Sequence, residues 1–302
     1  MPTAADSNAG RPRLWRRWAR RLGAGIVGLY VVGCSGLYAL QDKMLFPGHS
    51  TQGTKDAAAT FTPGVERVTL ATADGTPIVA RFSPADSTNA APTVLFCYGN
   101  AMCAAWCDGI VAILHDLGCN VLVADYAGYG ESGGKPSEAG CYATADAAWA
   151  YLQSRTDVDR RQIVVMGWSL GAAVATDLAS RRPAAGLITL SAFTSVPDVA
   201  RQTYPLLPTD WLVRSKFNNL AKVPSVKCPA LLFHGRQDTL ITPSNADKLA
   251  AAYGPRAELV WLQSADHNTM FEAEPELLRE TLQRFLNRLT PPVAPTTQAL
   301  RG

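Results

Sequence analysis

The sequence lacks several features that would place it in a specialised class of protein. No run of like charge occupies the body of the chain, because the net charge of +3 comes mostly from six arginines between residues 11 and 21. A nucleic-acid partner is therefore not expected. The seven cysteines do not form an even framework, and Cys103 and Cys107 have no His or Cys partners at metal spacing. We expect no metal site, and we expect Cys97, Cys119 and Cys228 to be buried thiols. The alternative is a disulfide somewhere in the chain, in an oxidising compartment.

Internal repeats are also absent, and 47% hydrophobic with 18% charged residues is ordinary for a globular protein. One domain with a sizeable core is expected between residues 65 and 290. Residues 41 to 64 are polar and rich in Gly, Thr and Ala, and residues 291 to 302 are rich in Pro. We expect a connector in the first segment and a disordered tail in the second, both without fixed structure.

The N-terminal region carries a membrane signal. A basic segment, residues 1 to 21, precedes the uncharged stretch LGAGIVGLYVVGCSGLYAL at residues 22 to 40, which is long enough to cross a bilayer as a helix. Because arginine-rich flanks stay cytoplasmic, the body is expected on the other side, which is the periplasm in a bacterium. Alternatively, Val31-Val32-Gly33-Cys34 is a lipoprotein cleavage box with Cys34 lipidated, or the stretch is a plain signal peptide.

Short apolar runs alternate with longer helical patterns along the body of the chain. VERVTLAT and TPIVARFSP flank Asp74-Gly75 as a hairpin, whereas continuous runs such as NVLVADY are typical of strands buried on both faces of a parallel sheet. Helical patterns occupy residues 103 to 117, 137 to 155, 170 to 181 and 244 to 252. The alternation predicts an α/β fold with a mostly parallel central sheet and helices on both faces.

The clearest chemical motif is Gly167-Trp168-Ser169-Leu170-Gly171, which lies between a strand-like and a helix-like segment. A sharp strand-to-helix turn has no room for side chains at its flanking positions, which explains the two glycines. Such a turn lifts the serine oxygen above the sheet beside a helix N-terminus. We therefore expect Ser169 to be a nucleophile; the alternative is a Gly-rich turn whose serine caps the following helix.

An unactivated hydroxyl is a poor nucleophile, so a base and an orienting acid are needed. In a site of this kind they follow the serine, with the acid first and the histidine last. His267 lies in the loop after the last strand-like run and is the best placed of the four histidines, of which the others are His49, His115 and His234. Asp238 directly follows the strand-like run ALLFHG and is the expected acid, with Asp247 as the fallback.

Acyl transfer also needs two N–H donors for the oxyanion. The residue after the nucleophile, Leu170, supplies the first. The second is expected in the turn Tyr98-Gly99-Asn100-Ala101, at the amide of Asn100, although an ordinary turn at a strand end would look the same. This chemistry implies neither a metal ion nor an organic cofactor.

Longer segments add to these residues, namely QDKMLFPG, YGNA, DYAGYGESGGKPSEAGCYATADAAWAYL, GWSLG, SAFTSVPDVARQTYPLLPTDWLVRSKFNN and HGRQDTLITPSNADKL followed by ADHN. With them the chain, over roughly residues 41 to 285, resembles the α/β-hydrolase superfamily. Within it the resemblance is to the membrane-anchored serine hydrolases related to fungal Bem46 and to the animal ABHD13-like and ABHD17-like proteins. It implies Ser169 as nucleophile, Asp238 as acid and His267 as base.

Two positions depart from that family pattern. Tyr98 stands where the family usually has His, and Ala127 stands where DYRGYG would have Arg. Neither is a triad position, so catalytic competence is still expected. The first departure can reshape the oxyanion loop and the entrance, and the second removes a charge near the helix that begins at residue 137.

These features together predict a serine hydrolase that cleaves ester or thioester bonds of acylated substrates. Residues 193 to 228 are the only candidate cap, and their apolar stretch YPLLPTDWLV suggests either a hydrophobic lip or core packing. With a membrane tether nearby, the expected substrate is an acyl ester or thioester of a lipid or a lipidated protein. The alternatives are a peptidase or amidase on the same triad, and a catalytically inert membrane-anchored scaffold.

Overall fold

The computed structural model describes residues 11–58, 64–86 and 91–289, with side chains from residue 15 onward. The expected disordered tail, residues 291 to 302, and the first ten residues of the basic segment lie outside the described residues.

One sheet of eight strands runs through the domain in the order β1-β2-β4-β3-β5-β6-β7-β8. The strands are β1 (Glu66–Ala71), β2 (Pro77–Ser83), β3 (Thr93–Cys97), β4 (Asn120–Ala124), β5 (Ile163–Trp168), β6 (Gly186–Leu190), β7 (Ala230–Gly235) and β8 (Ala257–Leu262). The pairs β1–β2 and β2–β4 are antiparallel, and all later neighbours are parallel. The mostly parallel sheet and the hairpin at Asp74-Gly75 are confirmed.

Continuous apolar runs form the central strands because helices cover both faces of the sheet. Every residue of β3, β4 and β6 is buried. The helices are α1 (Arg11–Leu45), α2 (Asp108–Asp116), α3 (Glu138–Ser154), α4 (Leu170–Arg181), α5 (Val196–Thr203), α6 (Thr209–Leu212), α7 (Asn219–Lys222), α8 (Ser244–Tyr253) and α9 (Pro275–Leu289).

The helix predicted for residues 103 to 117 is divided. A 3₁₀ turn, Ala104–Trp106, precedes α2, which begins at Asp108. The backbone N–H of Ala104 donates to the buried carboxylate of Asp125 at 2.6 Å, so the start of this segment is bound to β4 rather than to its own helix. A long-range bond of this kind leaves no local pattern in the sequence.

Helix α1 is 35 residues long. Its segment Trp15–Leu45 is long and apolar enough to cross a membrane. The apolar 18-residue stretch within this segment is not buried against the domain. The predicted apolar stretch, residues 22 to 40, therefore lies within a longer helix that continues to the edge of the folded body.

The expectation that residues 41 to 64 lack fixed structure is wrong for residues 41–58. After α1 ends, the ring of Phe46 is buried in the core and a 3₁₀ turn, Pro47–Thr51, follows. The backbone N–H of Gly48 donates to the carbonyl of Asn100 at 2.9 Å. Burial of an aromatic ring and closure of backbone hydrogen bonds offset the entropy of ordering this polar segment, so the compact domain begins near residue 46 rather than 65.

The thiols behave as small buried hydrophobes. All seven cysteines are free, with Cys97 and Cys119 buried and Cys228 half-buried. Burial raises the pKa of Cys97 and of Cys119 to about 12. Neither thiol is therefore a reactive nucleophile at neutral pH.

Candidate active site

Ser169 lies at the turn between β5 and α4. Its backbone has φ 55° and ψ −118°, a conformation that costs a non-glycine residue on the order of 1–3 kcal/mol. A Cβ on Gly167 would lie 2.1 Å from the carbonyl oxygen of Gly171, and a Cβ on Gly171 would lie 1.9 Å from the carbonyl oxygen of Cys97. Both glycines are thus required by the close approach of backbones. The Ser169 side chain does not cap α4, so the capping alternative is not what the turn does.

The structure brings Ser169, His267 and Asp238 together although they lie on three separate loops. Ser169 Oγ is 2.9 Å from His267 Nε2, and His267 Nδ1 is 2.9 Å from Asp238 Oδ2. All three residues follow carboxyl ends of parallel strands, namely β5, β7 and β8, and these ends meet at one edge of the sheet.

Hydrogen bonds around Asp238 fix the tautomer of the histidine. Oδ1 of Asp238 accepts from the backbone N–H groups of Leu240 and Ile241 at 3.0 and 2.7 Å, which orients Oδ2 toward His267. Burial acts to raise the pKa of the Asp238 carboxyl, but its bonds with His267 and Ile241 outweigh burial and hold that pKa below its ordinary value. Since the ionised carboxylate only accepts, Nδ1 of His267 carries the proton and Nε2 accepts from Ser169.

The other candidates in the sequence have structural roles. His49 and His115 bond to the backbone carbonyls of Phe46 and Pro84, respectively, both at 2.8 Å. Asp247 is exposed on α8.

His234 comes closer to the site than these. It is buried, with Nε2 2.8 Å from the carbonyl of Ile241 and 3.7 Å from Asp238 Oδ2. Burial lowers the pKa of His234, which keeps this ring neutral behind the triad acid. We infer that His234 supports the loop that carries Asp238.

The two expected oxyanion donors lie on either side of the serine. Leu170 is the first residue of α4, where backbone N–H groups have no partner within the helix. Asn100 lines the catalytic cleft. Its side-chain amide donates to the carbonyl of Leu45 at 3.2 Å, and its own carbonyl accepts from Gly48. The segment just after α1 therefore fixes the Asn100 peptide.

The cleft over the triad is small, with a volume of about 120 Å³. Sequence reasoning missed three residues that line it: Met102, Trp168 and Leu240. The indole of Trp168 lies 6.0 Å from the His267 ring, centroid to centroid, and so limits its movement. The sequence could have indicated Trp168 as a lining residue, because it directly precedes the serine in the glycine motif. It could have indicated Leu240 because that residue lies two positions after the acid.

Tyr98 does not face the cleft, whose lining among the described residues excludes it. Its hydroxyl donates to Asp125 Oδ1 at 3.1 Å and accepts from the backbone N–H of Tyr126, also at 3.1 Å. Tyr98 therefore ties the end of β3 to the end of β4 from within the core. Ala127 is likewise buried, and its backbone N–H donates to Thr144 Oγ1.

The segment expected to be a cap, residues 193 to 228, lies against α1. The hydroxyl of Tyr30 donates to the carbonyl of Leu206 at 2.8 Å. The side chain of Gln41 donates to the carbonyl of Leu212 at 3.1 Å and accepts from the backbone N–H of Arg214 at 2.7 Å. Leu206 and Trp211 are 86% and 89% exposed, so this part of the apolar stretch is not packed in a core.

Comparison with known proteins identifies the family of the chain. Residues 92–212 match the family model described as the alpha/beta hydrolase fold. An uncharacterised protein of Mycobacterium tuberculosis is 34% identical over 234 residues, covering 78% of this chain and 83% of the relative. Alpha/beta hydrolase domain-containing protein WAV2 of Arabidopsis thaliana is 31% identical over 290 residues, covering 88% and 94%. The chain belongs to the α/β-hydrolase superfamily.

The fold of this α/β-hydrolase is also seen in solved structures. An esterase of Pyrococcus furiosus superposes with a TM-score of 0.64 at 21% identity, covering 76% of this chain and 94% of the esterase. At that identity the likeness concerns the fold alone. The superfamily and the fold expected from the sequence are thus confirmed.

Proposed function

We propose that this α/β-hydrolase is a serine hydrolase that cleaves carboxylic ester or thioester bonds of acylated substrates. The observation that carries the proposal is the continuous hydrogen-bonded chain from Ser169 through His267 to Asp238, with both distances at 2.9 Å. A strained serine at a strand-to-helix turn adds support, because such strain persists where the surrounding structure enforces it for function.

In the proposed reaction, Ser169 Oγ attacks the acyl carbonyl carbon while His267 Nε2 takes the hydroxyl proton. Asp238 orients the imidazole and stabilises the imidazolium that forms. The backbone amides of Leu170 and Asn100 hold the negative oxygen of the tetrahedral intermediate. His267 then gives its proton to the leaving alcohol or thiol, and an acyl-enzyme on Ser169 remains.

Water completes the cycle. His267 removes a proton from the water as it attacks the acyl carbon, the ester bond to Ser169 breaks, and the serine oxygen regains a proton from the imidazolium. The products are a carboxylic acid and the alcohol or thiol released earlier. The side chains that act in these steps all belong to the chain itself.

We further propose that α1 holds the enzyme in a membrane. Apolar side chains of α1 such as Leu29 and Val32 are exposed along the helix, as hydrocarbon contact requires. The arginines before residue 22 favour a cytoplasmic N-terminus and a body on the opposite side. Tyr30 precedes Cys34 and bonds to the cap, which supports a retained helix over cleavage at Cys34.

Turnover of acyl substrates by the full chain in phospholipid nanodiscs tests the proposal. Wild type, Ser169→Ala and the exposed control Ser154→Ala are each offered p-nitrophenyl esters, acyl thioesters and peptides. We expect hydrolysis of esters or thioesters, a loss on the order of 10⁴-fold or more in Ser169→Ala, and no loss in the control. Equal turnover by wild type and Ser169→Ala would reject the nucleophile, and cleavage of peptides alone would reject the substrate class.

A further inference from the structure

A second cavity lies between the anchor helix and the cap. Its volume is about 340 Å³, within the range of small-molecule binding sites. Leu37 and Met44 of α1 form one wall, and Val199 and Ala200 of α5 with Leu212 of α6 form another. None of the described residues that line it carries a charge. The cavity therefore suits an apolar occupant.

Leu240 is shared by this cavity and the catalytic cleft. It lines both the cavity and the cleft that contains Ser169 and His267. Its backbone N–H is bonded to Asp238, which fixes its position beside the triad. A ligand whose carbonyl reacts at Ser169 can extend past Leu240 into the cavity along apolar surface.

The cavity lies beside the part of α1 that is proposed to be in the membrane, because Leu37 of the apolar stretch lines it. Tyr30, whose hydroxyl contacts the cap at Leu206, is about 15 Å along the helix from Leu40, the end of the apolar stretch. The cap therefore lies beside the apolar part of α1. Leu206 itself, and Trp211 next to the Gln41-bonded Leu212, are exposed apolar side chains of the kind found at membrane contact sites.

We propose that the cavity between α1 and the cap binds the acyl chain of a substrate that enters from the bilayer. This inference rests on the proposed serine hydrolase function and adds the location of the acyl-chain site. An acyl chain is the chosen occupant because the cavity is uncharged, shares Leu240 with the cleft at Ser169 and has the apolar helix α1 as one wall. The anchor helix is thus part of the binding site as well as a tether.

Two tryptophan substitutions that fill the cavity from opposite walls test this site. Ala200→Trp acts from the cap and Met44→Trp from the anchor, where Met44 is exposed and a larger side chain leaves the fold intact. Ala150→Trp is the matched control, since Ala150 is exposed on α3 away from the cavity. The full chain in phosphatidylcholine nanodiscs is assayed with p-nitrophenyl acetate and p-nitrophenyl tetradecanoate.

The readout is the ratio of kcat/KM for the tetradecanoate to that for the acetate. Each methylene that a variant leaves in water, rather than in the cavity, while the carbonyl reacts at Ser169 lowers kcat/KM roughly fourfold. Exclusion of part of the chain should therefore lower the ratio at least about tenfold in both cavity variants. The control should keep the wild-type ratio. Partitioning of the long ester into lipid is the same for every variant and cancels when ratios are compared.

The outcomes separate the two proposals. Absence of turnover in wild type of every ester and thioester in the panel described above would reject the hydrolase function itself. Ester turnover with an unchanged ratio in Met44→Trp and in Ala200→Trp would overturn the acyl-chain site alone. If Ala200→Trp loses both activities through misfolding, Met44→Trp decides. A dimer that Met44→Trp dissociates without altering the ratio would assign the cavity to a second copy and overturn the proposal.

Discussion

Replacement of Tyr98 by Phe is expected to be among the most destabilising conservative changes in this protein. The side chain is fully buried, and its hydroxyl serves two partners at once: the Asp125 carboxylate and the backbone N–H of Tyr126. Phe keeps the ring and its packing against Tyr126 and Tyr129. The substitution therefore isolates the two hydrogen bonds.

The magnitude follows from what each partner loses. A hydrogen bond to a charged group contributes about 1.5–3 kcal/mol, and a buried N–H left without a partner costs about 1–3 kcal/mol. Asp125 is sensitive to the loss, because burial already raises the pKa of its carboxyl against the lowering effect of its hydrogen bonds. We expect Tyr98→Phe to lower the free energy of unfolding by about 3–5 kcal/mol.

Two neighbouring tyrosines provide internal controls. The Tyr126 hydroxyl donates to the carbonyl of Tyr98 at 2.9 Å and has no charged partner among its hydrogen bonds in the described part of the chain, so Tyr126→Phe should cost about 1–3 kcal/mol. The Tyr129 hydroxyl is buried with no hydrogen-bond partner among the described residues, so Tyr129→Phe should be neutral or stabilising.

Urea unfolding of the full chain in nonionic detergent, followed by tryptophan fluorescence, measures all three variants. The expected order of destabilisation is Tyr98→Phe, then Tyr126→Phe, then Tyr129→Phe. A Tyr98→Phe variant as stable as Tyr129→Phe would refute the hydrogen-bond reasoning and would mean that Tyr98 contributes only its ring.

Further predictions concern the turn at Ser169 and the triad acid, Asp238. Gly171→Ala should lower the free energy of unfolding by at least about 1–3 kcal/mol, because the new Cβ would meet the Cys97 carbonyl; a urea midpoint equal to that of wild type would contradict this. Asp238→Asn should reduce kcat on the order of 10⁴-fold with the fold retained, measured on the ester that wild type prefers; a loss below tenfold would argue against its role. Because the folded pKa of Asp238 is below its ordinary value of 3.8, the stability it contributes is present above that pH and is lost as pH falls through the folded pKa. The difference in melting temperature between wild type and Asp238→Asn should therefore shrink as the pH falls below 3.8, and a difference that grows there would contradict the sign.

The sheet and the residues of the candidate site could be predicted because their signals are local. A parallel strand buried on both faces requires a continuous apolar run, and the turn at Ser169 requires glycines at fixed positions on either side. His267 and Asp238 followed from their places after the last two strands. Each of these signals occupies only a few consecutive residues of the sequence.

Contacts between distant segments could not be predicted in the same way. The bond from Tyr30 to Leu206 joins residues 176 positions apart, and the bond from Gly48 to Asn100 joins residues 52 positions apart (100 − 48). A polar, glycine-containing stretch such as residues 41 to 58 resembles a connector until its partners are known. Within that stretch only QDKMLFPG carried a signal, and it came from the family resemblance.

The hydrogen bonds that join Leu45 and Gly48 to Asn100 have a consequence for how the enzyme encounters its substrates. Gly48 lies so close to Tyr129 that a Cβ there would be 1.9 Å from the ring. The segment that joins α1 to the domain is therefore tightly packed. If Ser169 is the nucleophile and α1 lies in a membrane, as proposed above, a serine joined this rigidly to α1 works at one fixed height and does not reach out into the surrounding solution. Encounters are then two-dimensional, and turnover should follow the surface density of substrate and its lateral diffusion rather than its bulk concentration.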